Sequence, residues 1–168
     1  MSIDFEFRKQ IMDFHIGSDL IKYCYQCSRC ADNCPVTKVT SDFYTTTGYN
    51  PRQNILNALL GYKEAIFSED PLIIWGCTVC DTCDEVCPQN IELTEIFTLL
   101  KNQSIEQGKG PDFIYSQAQA IFDSAKAIPS QPAIERRREQ MGLPAVVAPD
   151  IHELQTLLRN IGTHKKLK

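Results

Sequence analysis

Residues 24–35 read CYQCSRCADNCP, and residues 77–88 read CTVCDTCDEVCP. Both stretches have the spacing C-x2-C-x2-C-x3-C-P, and the second repeats the first 53 positions later in the chain. The eight cysteines of these two runs are all the cysteines of the 168-residue chain. This is the ligand spacing of proteins that hold two [4Fe–4S] clusters, so the sequence predicts a protein that stores and passes single electrons.

The spacing also predicts which cysteine binds which cluster. In two-cluster proteins of this type, the fourth cysteine of each run ligates the cluster of the other run. Cluster I is therefore assigned the ligands Cys24, Cys27, Cys30 and Cys87. Cluster II is assigned the ligands Cys77, Cys80, Cys83 and Cys34. This exchange would tie the two halves of the chain together and keep the clusters close.

Cysteine-rich runs also occur in disulfide-linked and in zinc-binding proteins. A disulfide framework suits small secreted chains, but the start MSIDFEFRKQ lacks the basic and then apolar pattern of a secretion signal. Zinc is the stronger alternative, because pairs of cysteines two residues apart also bind zinc. A zinc-stabilised interaction module therefore stays open, although four cysteines in one tight run that ends with proline are unusual for zinc.

Composition and charge bear on three further questions: nucleic-acid binding, membrane insertion and the cellular compartment. The chain has a net charge of −4 and is 43% hydrophobic, so nothing suggests that it binds nucleic acid. Its longest apolar stretches, Leu72 to Trp75 and Ala145 to Ala148, are far too short to span a membrane. Eight thiols reserved for metal indicate the reducing cytoplasm.

No catalytic site is recognisable in the sequence. The chain has no G-x-G-x-x-G dinucleotide motif after a predicted strand and no phosphate-binding loop. The histidines are scattered, at His15, His152 and His164, and none stands beside a plausible nucleophile. Because every cysteine is assigned to a cluster, we expect a non-catalytic electron carrier or a protein that connects redox partners.

Hydrophobic periodicity predicts a mainly α fold: an alpha-helical ferredoxin-like domain with two [4Fe–4S] clusters and extended N- and C-terminal arms. Residues 1–20 form the N-terminal arm, extended at first and then a short helix from Ile11. Residues 21–127 form the helical dicluster domain, in which Asn50 caps a helix that ends at Gly61. Residues 128–168 form an arm bounded by prolines, which are Pro129, Pro132, Pro144 and Pro149, and a final helix capped by Asp150.

The chain resembles the C subunit of heterodisulfide reductase. The resemblance lies in the runs YCYQCSRCADNCP and GCTVCDTCDEVCP, in the spacer that opens with Tyr49-Asn50-Pro51-Arg52 and in the length, and it covers residues 21–107. The cysteine runs alone are similar to those of the iron–sulfur subunits of succinate dehydrogenase and glycolate oxidase. The lack of a preceding [2Fe–2S] domain argues against a complete iron–sulfur protein of the succinate dehydrogenase type.

This resemblance implies an electron relay in a larger enzyme. Proteins of this family accept electrons from the A subunit, which holds flavin and iron–sulfur clusters. They pass the electrons to the catalytic B subunit, which has cysteine-rich CCG motifs and reduces the mixed disulfide of coenzyme M and coenzyme B. In methanogenesis the complex joins a hydrogenase or a formate dehydrogenase. An equivalent relay in sulfur metabolism and a free-standing dicluster ferredoxin stay open as alternatives.

Local charge suggests a direction of electron flow. Around the first run the sequence places three cations against one carboxylate: Lys22, Arg29 and Lys38 against Asp32. The second run carries three carboxylates: Asp81, Asp84 and Glu85. Because negative charge disfavours reduction of an anionic cluster, cluster II is predicted to have the lower potential. Electrons would then enter at cluster II and leave from cluster I.

Overall fold

The computed structural model describes residues 2–15, 17–40, 48–128, 130–147 and 150–167. The regular structure in these ranges is helical and includes no β-strand, which confirms the mainly α fold. The chain divides into two compact units, Met1–Lys109 and Gly110–Lys168. The domain boundaries after residues 20 and 127 stay predictions. Pro129 and Pro149, which the sequence placed in the C-terminal arm, lie outside the described residues.

The first unit is built from short helices around one core. Its α-helices are α1 (Phe5–Met12), α2 (Arg29–Asn33), α3 (Thr37–Thr40), α4 (Pro51–Leu60), α5 (Lys63–Ile66), α6 (Leu72–Trp75), α7 (Thr82–Glu85) and α8 (Leu93–Glu106). A 3₁₀ helix covers Ser18–Tyr23. Helices α2 and α7, which occupy the same place in the two cysteine runs, pack against each other. The two runs therefore meet although they are distant in the sequence.

Helix α1 begins earlier than the sequence predicted. The alternation of apolar residues predicted an extended start with a helix only from Ile11, but the helix begins at Phe5. Asp4 caps it, because its Oδ1 accepts a hydrogen bond from the N–H of Phe7 at 2.8 Å. Phe7 and Ile11, one turn apart, are both buried in the core, so helical spacing decides the structure of this segment.

Helix α4 has the ends that its sequence predicted. Asn50 Oδ1 accepts a hydrogen bond from the N–H of Gln53 at 3.2 Å, and Pro51 is the first helical residue. Gly61 ends the helix with φ of +76°. A Cβ on Gly61 would lie 2.6 Å from the carbonyl oxygen of Asp4, so the start of α1 also requires a glycine here.

Helix α8 runs through the core of the first unit. Ile96, Phe97 and Leu100 are each no more than 1% exposed. The indole N–H of Trp75 donates a hydrogen bond to Ser104 Oγ at 3.3 Å, which links the end of α6 to α8. Because α6 leads directly into the second cysteine run, this contact helps to fix where that run begins.

The second unit contains α9 (Asp112–Ser124), α10 (Pro132–Gln140), α11 (Ile151–Asn160) and a 3₁₀ turn at Thr163–Lys166. Asp150 caps α11 as predicted and accepts a hydrogen bond from the N–H of His152 at 2.8 Å. Helices α9 and α11 pack together, and Gln155 Nε2 donates to the carbonyl of Phe122 at 3.0 Å. In the described parts of the chain, no helix has the length and apolar character that a membrane span requires.

Candidate iron–sulfur centres

The structure brings the eight cysteines together around two cavities. The first opens to solvent and is bordered by Cys24, Cys27, Cys30 and Cys87. Ile55 and Ile91, each no more than 2% exposed, form part of its apolar wall. Arg52, from the first turn of α4, also borders it.

The second cavity is bordered by Cys34, Cys77, Cys80 and Cys83. Its wall is richer in hydroxyl groups than that of the first cavity. Tyr49 and Thr94 border it and are 2% and 4% exposed. Each cavity therefore collects three cysteines of one run and the fourth cysteine of the other. Which sulfur binds which cluster stays a prediction.

The two cysteine loops share an unusual backbone conformation. The angle φ is +59° at Gln26 and +69° at Ser28, and it is +55° at Val79 and +58° at Asp81. The members of these pairs are again 53 positions apart. A residue other than glycine at such a φ costs about 1–2 kcal/mol. Left-handed residues between right-handed ones turn successive backbone N–H groups toward one concavity, which is an anion-binding arrangement.

The donor set fits a [4Fe–4S] cluster at each cavity. A structural zinc site holds its ligand atoms about 2.0–2.3 Å from a single ion. Among the described His, Cys, Asp and Glu side chains, no group of three or more is placed to hold one ion in this way. Each set of four thiols instead borders a shared cavity, and four thiolates around one cavity are the donor set of a cube of iron and sulfide.

Backbone N–H groups also reach the fourth cysteine of each run. Thr37 N–H donates to Cys34 Sγ at 3.5 Å, and Ile91 N–H donates to Cys87 Sγ at 3.4 Å. Each donor lies shortly after the proline that ends its run. The chain turns back at this proline, which brings the N–H group to the sulfur. Hydrogen bonds of this kind stabilise a thiolate ligand and its cluster.

The cysteine thiols differ strongly in acidity. Burial raises the pKa of the Cys30 thiol to about 12, and burial likewise raises the pKa of the Cys83 thiol to about 12. Cys80 is exposed, and hydrogen bonding with Thr82, whose Oγ1 lies 3.4 Å from the sulfur, lowers the pKa of its thiol. Because only the thiolate binds metal, ligation at Cys30 and Cys83 must displace a proton.

Folding changes the charge distribution that local sequence suggested around the first run. Lys22 Nζ lies 2.6 Å from Asp19 Oδ2, so an adjacent carboxylate offsets this cation. Arg29 borders the first cavity as its position in the run implies. Arg52 joins it there, a second cation from a different segment.

The second run also gains partners from elsewhere in the chain. Lys101 Nζ, from α8, donates a hydrogen bond to the carbonyl oxygen of Cys77 at 2.6 Å. Asp84 Oδ1 accepts a hydrogen bond from the N–H of Thr94 at 3.1 Å, so this carboxylate caps the start of α8. A cation is therefore close to this run, and one of its carboxylates has a structural partner. The direction of electron flow stays a prediction.

Sequence reasoning gave no role to three residues that border the cavities, Tyr49, Arg52 and Thr94. Burial raises the pKa of the Tyr49 phenol far above its ordinary value, and the neighbouring Cys77 adds to the shift. Tyr49 and Arg52 stood out only as part of the start of the spacer helix, and nothing in the sequence placed any of the three at a cavity, because each lies outside the cysteine runs and reaches its cavity only through the fold.

Comparison with known proteins supports the presence of [4Fe–4S] clusters. The family model of a 4Fe-4S dicluster domain matches residues 20–91. The chain is 31% identical over 159 residues to the second iron-sulfur C subunit of CoB–CoM heterodisulfide reductase from Methanocaldococcus jannaschii, covering 89% of this chain and 80% of the relative. It is 32% identical over 148 residues to the C2 subunit of H(2)/formate:CoB-CoM heterodisulfide,ferredoxin reductase from Methanococcus maripaludis, covering 84% and 74%.

A third relative extends the similarity over nearly the whole chain. It is the C subunit of H(2):CoB-CoM heterodisulfide,ferredoxin reductase from Methanothermobacter thermautotrophicus, 28% identical over 160 residues, which cover 95% of this chain and 80% of the relative. The match therefore includes the second unit as well as the cysteine runs. The chain belongs to the family of heterodisulfide reductase C subunits, which are iron–sulfur electron-transfer proteins.

Proposed function

We propose that the chain relays single electrons within a heterodisulfide reductase complex. It takes them from the A subunit, which holds flavin and clusters, and delivers them to the catalytic B subunit, which reduces the coenzyme M–coenzyme B disulfide. The observation that carries the proposal is the pair of cavities, each bordered by four cysteines from both runs. When bound, a [4Fe–4S] cluster at each cavity supplies a store for one electron.

The proposed ligands follow the two cavities. Cluster I is held by Cys24, Cys27, Cys30 and Cys87, and cluster II by Cys77, Cys80, Cys83 and Cys34. In both sets the second cysteine of the run is exposed, Cys27 in one and Cys80 in the other. These two sulfurs lie at the protein surface, so a redox partner can approach each centre from that side.

The chain's own residues bind and insulate the clusters and perform no disulfide chemistry. All eight cysteines are committed as ligands, so the thiols that react with the disulfide belong to a partner protein. We also place the complex in the cytoplasm, because a reducing compartment keeps these thiols available for metal. The relatives' names mention hydrogen and formate as electron sources of those complexes, and we propose a hydrogenase or a formate dehydrogenase as the donor enzyme here.

The first experiment measures iron, acid-labile sulfide and zinc in anoxically purified chain. We expect about eight iron and about eight sulfide per chain, and the A and B subunits should co-purify from the native source. About two zinc ions without sulfide would contradict the electron relay. Full clusters in a chain that purifies alone, without partners, would favour a free-standing dicluster ferredoxin.

The second experiment tests the exchange of the fourth cysteines. Cys27→Ser and Cys80→Ser first assign the two EPR signals. In either pairing, Cys27 binds the cluster of the first run and Cys80 binds the cluster of the second run. Cys87→Ser should then alter the signal that Cys27→Ser alters, and Cys34→Ser the signal that Cys80→Ser alters. The opposite pairing would mean that each run holds its own cluster with all four of its cysteines.

A further inference from the structure

Tyr49 places a buried hydroxyl group at the second cavity. Its side chain is 2% exposed and borders the cavity together with Cys34, Cys77 and Cys83. Burial raises the pKa of the Tyr49 phenol, and the neighbouring Cys77 adds to that increase. A phenol carries its proton at neutral pH, so this hydroxyl can donate a hydrogen bond to a thiolate sulfur.

The fold holds Tyr49 in place from several sides. Thr37 Oγ1 donates to the Tyr49 carbonyl at 3.0 Å, and the Tyr49 N–H donates to Thr40 Oγ1 at 3.3 Å. The ring meets Phe97 edge to face, with 6.1 Å between the centroids. On another side lies Gly76, where an added Cβ would be 2.6 Å from Tyr49 Cβ. Because Gly76 directly precedes Cys77, the ring can pack tightly against the start of the second run.

The first cavity has no hydroxyl at the corresponding position. Tyr49 lies two residues before the first residue of α4, and Ile91 lies two residues before the first residue of α8. Each borders the cavity that contains the fourth cysteine of its own half. Ile91 is 2% exposed and has an aliphatic side chain. At this position the second cavity therefore has a hydrogen-bond donor, and the otherwise similar first cavity has none.

We propose that Tyr49 is a tuning residue for cluster II: its O–H donates a hydrogen bond to Cys77 Sγ and raises the reduction potential of that cluster alone. The proposal rests on the proposed function, since it requires a cluster at each cavity. Reduction adds negative charge to the cluster and its thiolates, and a donor at a ligand sulfur stabilises that charge. Burial strengthens the interaction, because water does not compete for the sulfur at this point.

The proposed effect of Tyr49 on the reduction potential of cluster II is opposite to that of the carboxylates of the second run. Asp81 and Glu85 are exposed, so solvent and salt screen their effect on the cluster. Asp84 caps α8 and is offset by the positive end of that helix. The buried hydroxyl is thus placed to limit the decrease in potential that the local negative charge would cause.

The test is a redox titration of the cluster-loaded chain, followed by EPR, with Tyr49→Phe. This change removes the hydroxyl and keeps the ring that packs on Phe97. The signal that Cys80→Ser alters identifies cluster II. We expect its midpoint potential to shift to a lower value in Tyr49→Phe, with cluster I unchanged. Tyr115→Phe is the matched control, since Tyr115 is also a buried tyrosine, 6% exposed, and borders neither cysteine cavity; it should leave both potentials unchanged.

A second readout detects the hydrogen bond itself. ENDOR on reduced cluster II should show a strongly coupled proton that exchanges in D₂O and is absent in Tyr49→Phe. If the cluster II potential and this proton signal are both unchanged in the variant, the tuning role is wrong while two intact EPR signals still support the relay. If the wild-type chain binds no iron–sulfur cluster, the proposed function fails together with this inference.

Discussion

Gly76 should be among the positions least tolerant of substitution in the first unit. A Cβ at this position would lie 2.6 Å from Tyr49 Cβ, 2.7 Å from the carbonyl oxygen of Leu72 and 2.9 Å from Tyr49 Cγ. None of these atoms is the mobile end of a side chain, so Gly76→Ala must displace the backbone. Overpacking of a core costs about 1–3 kcal/mol, and we expect a value near the upper end. For a chain of this size that corresponds to a decrease in Tm of about 6–12 °C.

The assay is thermal unfolding of the cluster-loaded protein under anoxic conditions at one fixed scan rate, since unfolding with cluster loss is irreversible. Gly108→Ala is the control: Gly108 has φ of +70°, but an added Cβ would meet nothing within 4 Å. That variant should cost only backbone strain of about 1 kcal/mol, or about 2–4 °C. Gly76→Ala should also disturb the EPR signal of cluster II, because the displaced backbone leads into Cys77. If the two variants unfold within about 2 °C of each other, the steric argument fails.

Asp84→Ala should lower stability by about 0.5–2 kcal/mol, because the N–H of Thr94 loses its cap, and denaturant unfolding that matches wild type would contradict this. Asn54→Ala should cost about 1–3 kcal/mol in the same assay, because the buried amide of Asn54 donates to a carbonyl of α6. In metal-free protein that keeps its helical circular dichroism at pH 8, iodoacetamide should modify Cys80 at least ~30-fold faster than Cys83, whose pKa burial raises to about 12. The Cys83 rate should rise as the pH approaches 12, and equal rates at pH 8 would refute the assigned acidities.

Local sequence patterns predicted the structure well where the physical cause is itself local. The ends of α4 are an example, since a cap at Asn50, a proline at the first helical position and a glycine at the end each act within one turn. The start of α1 was misplaced because the alternation of Ile3, Phe5 and Phe7 suggested a strand-like period. The cap by Asp4 and the burial of one helical face outweigh that alternation.

Features of the site that depend on distant segments were not predictable in the same way. The contact of Lys101 with the second run joins residues 24 positions apart. The positive φ angles fall on Gln26, Ser28 and Val79, residue types that give no sign of a left-handed conformation. Packing around the cysteine loops imposes that conformation. The spacing therefore predicted which cysteines share a cavity, but it did not predict the shape of the backbone between them.

The sharing of each cavity between both cysteine runs constrains the timing of biosynthesis. Cys87 leaves the ribosome 57 residues after Cys30, a delay of about 3–11 s at about 5–20 residues per second. During that interval the nascent chain exposes the first run without the partner that completes its cavity. Cys83 is the last cysteine of the second cavity to be synthesised, and Cys87 is the last of the first cavity. The two sets of cysteines are therefore completed only four residues apart. A cluster can therefore be inserted at either site only after both cysteine runs have been made, and a ribosome that stalls anywhere in the spacer leaves four unprotected thiols and no complete site.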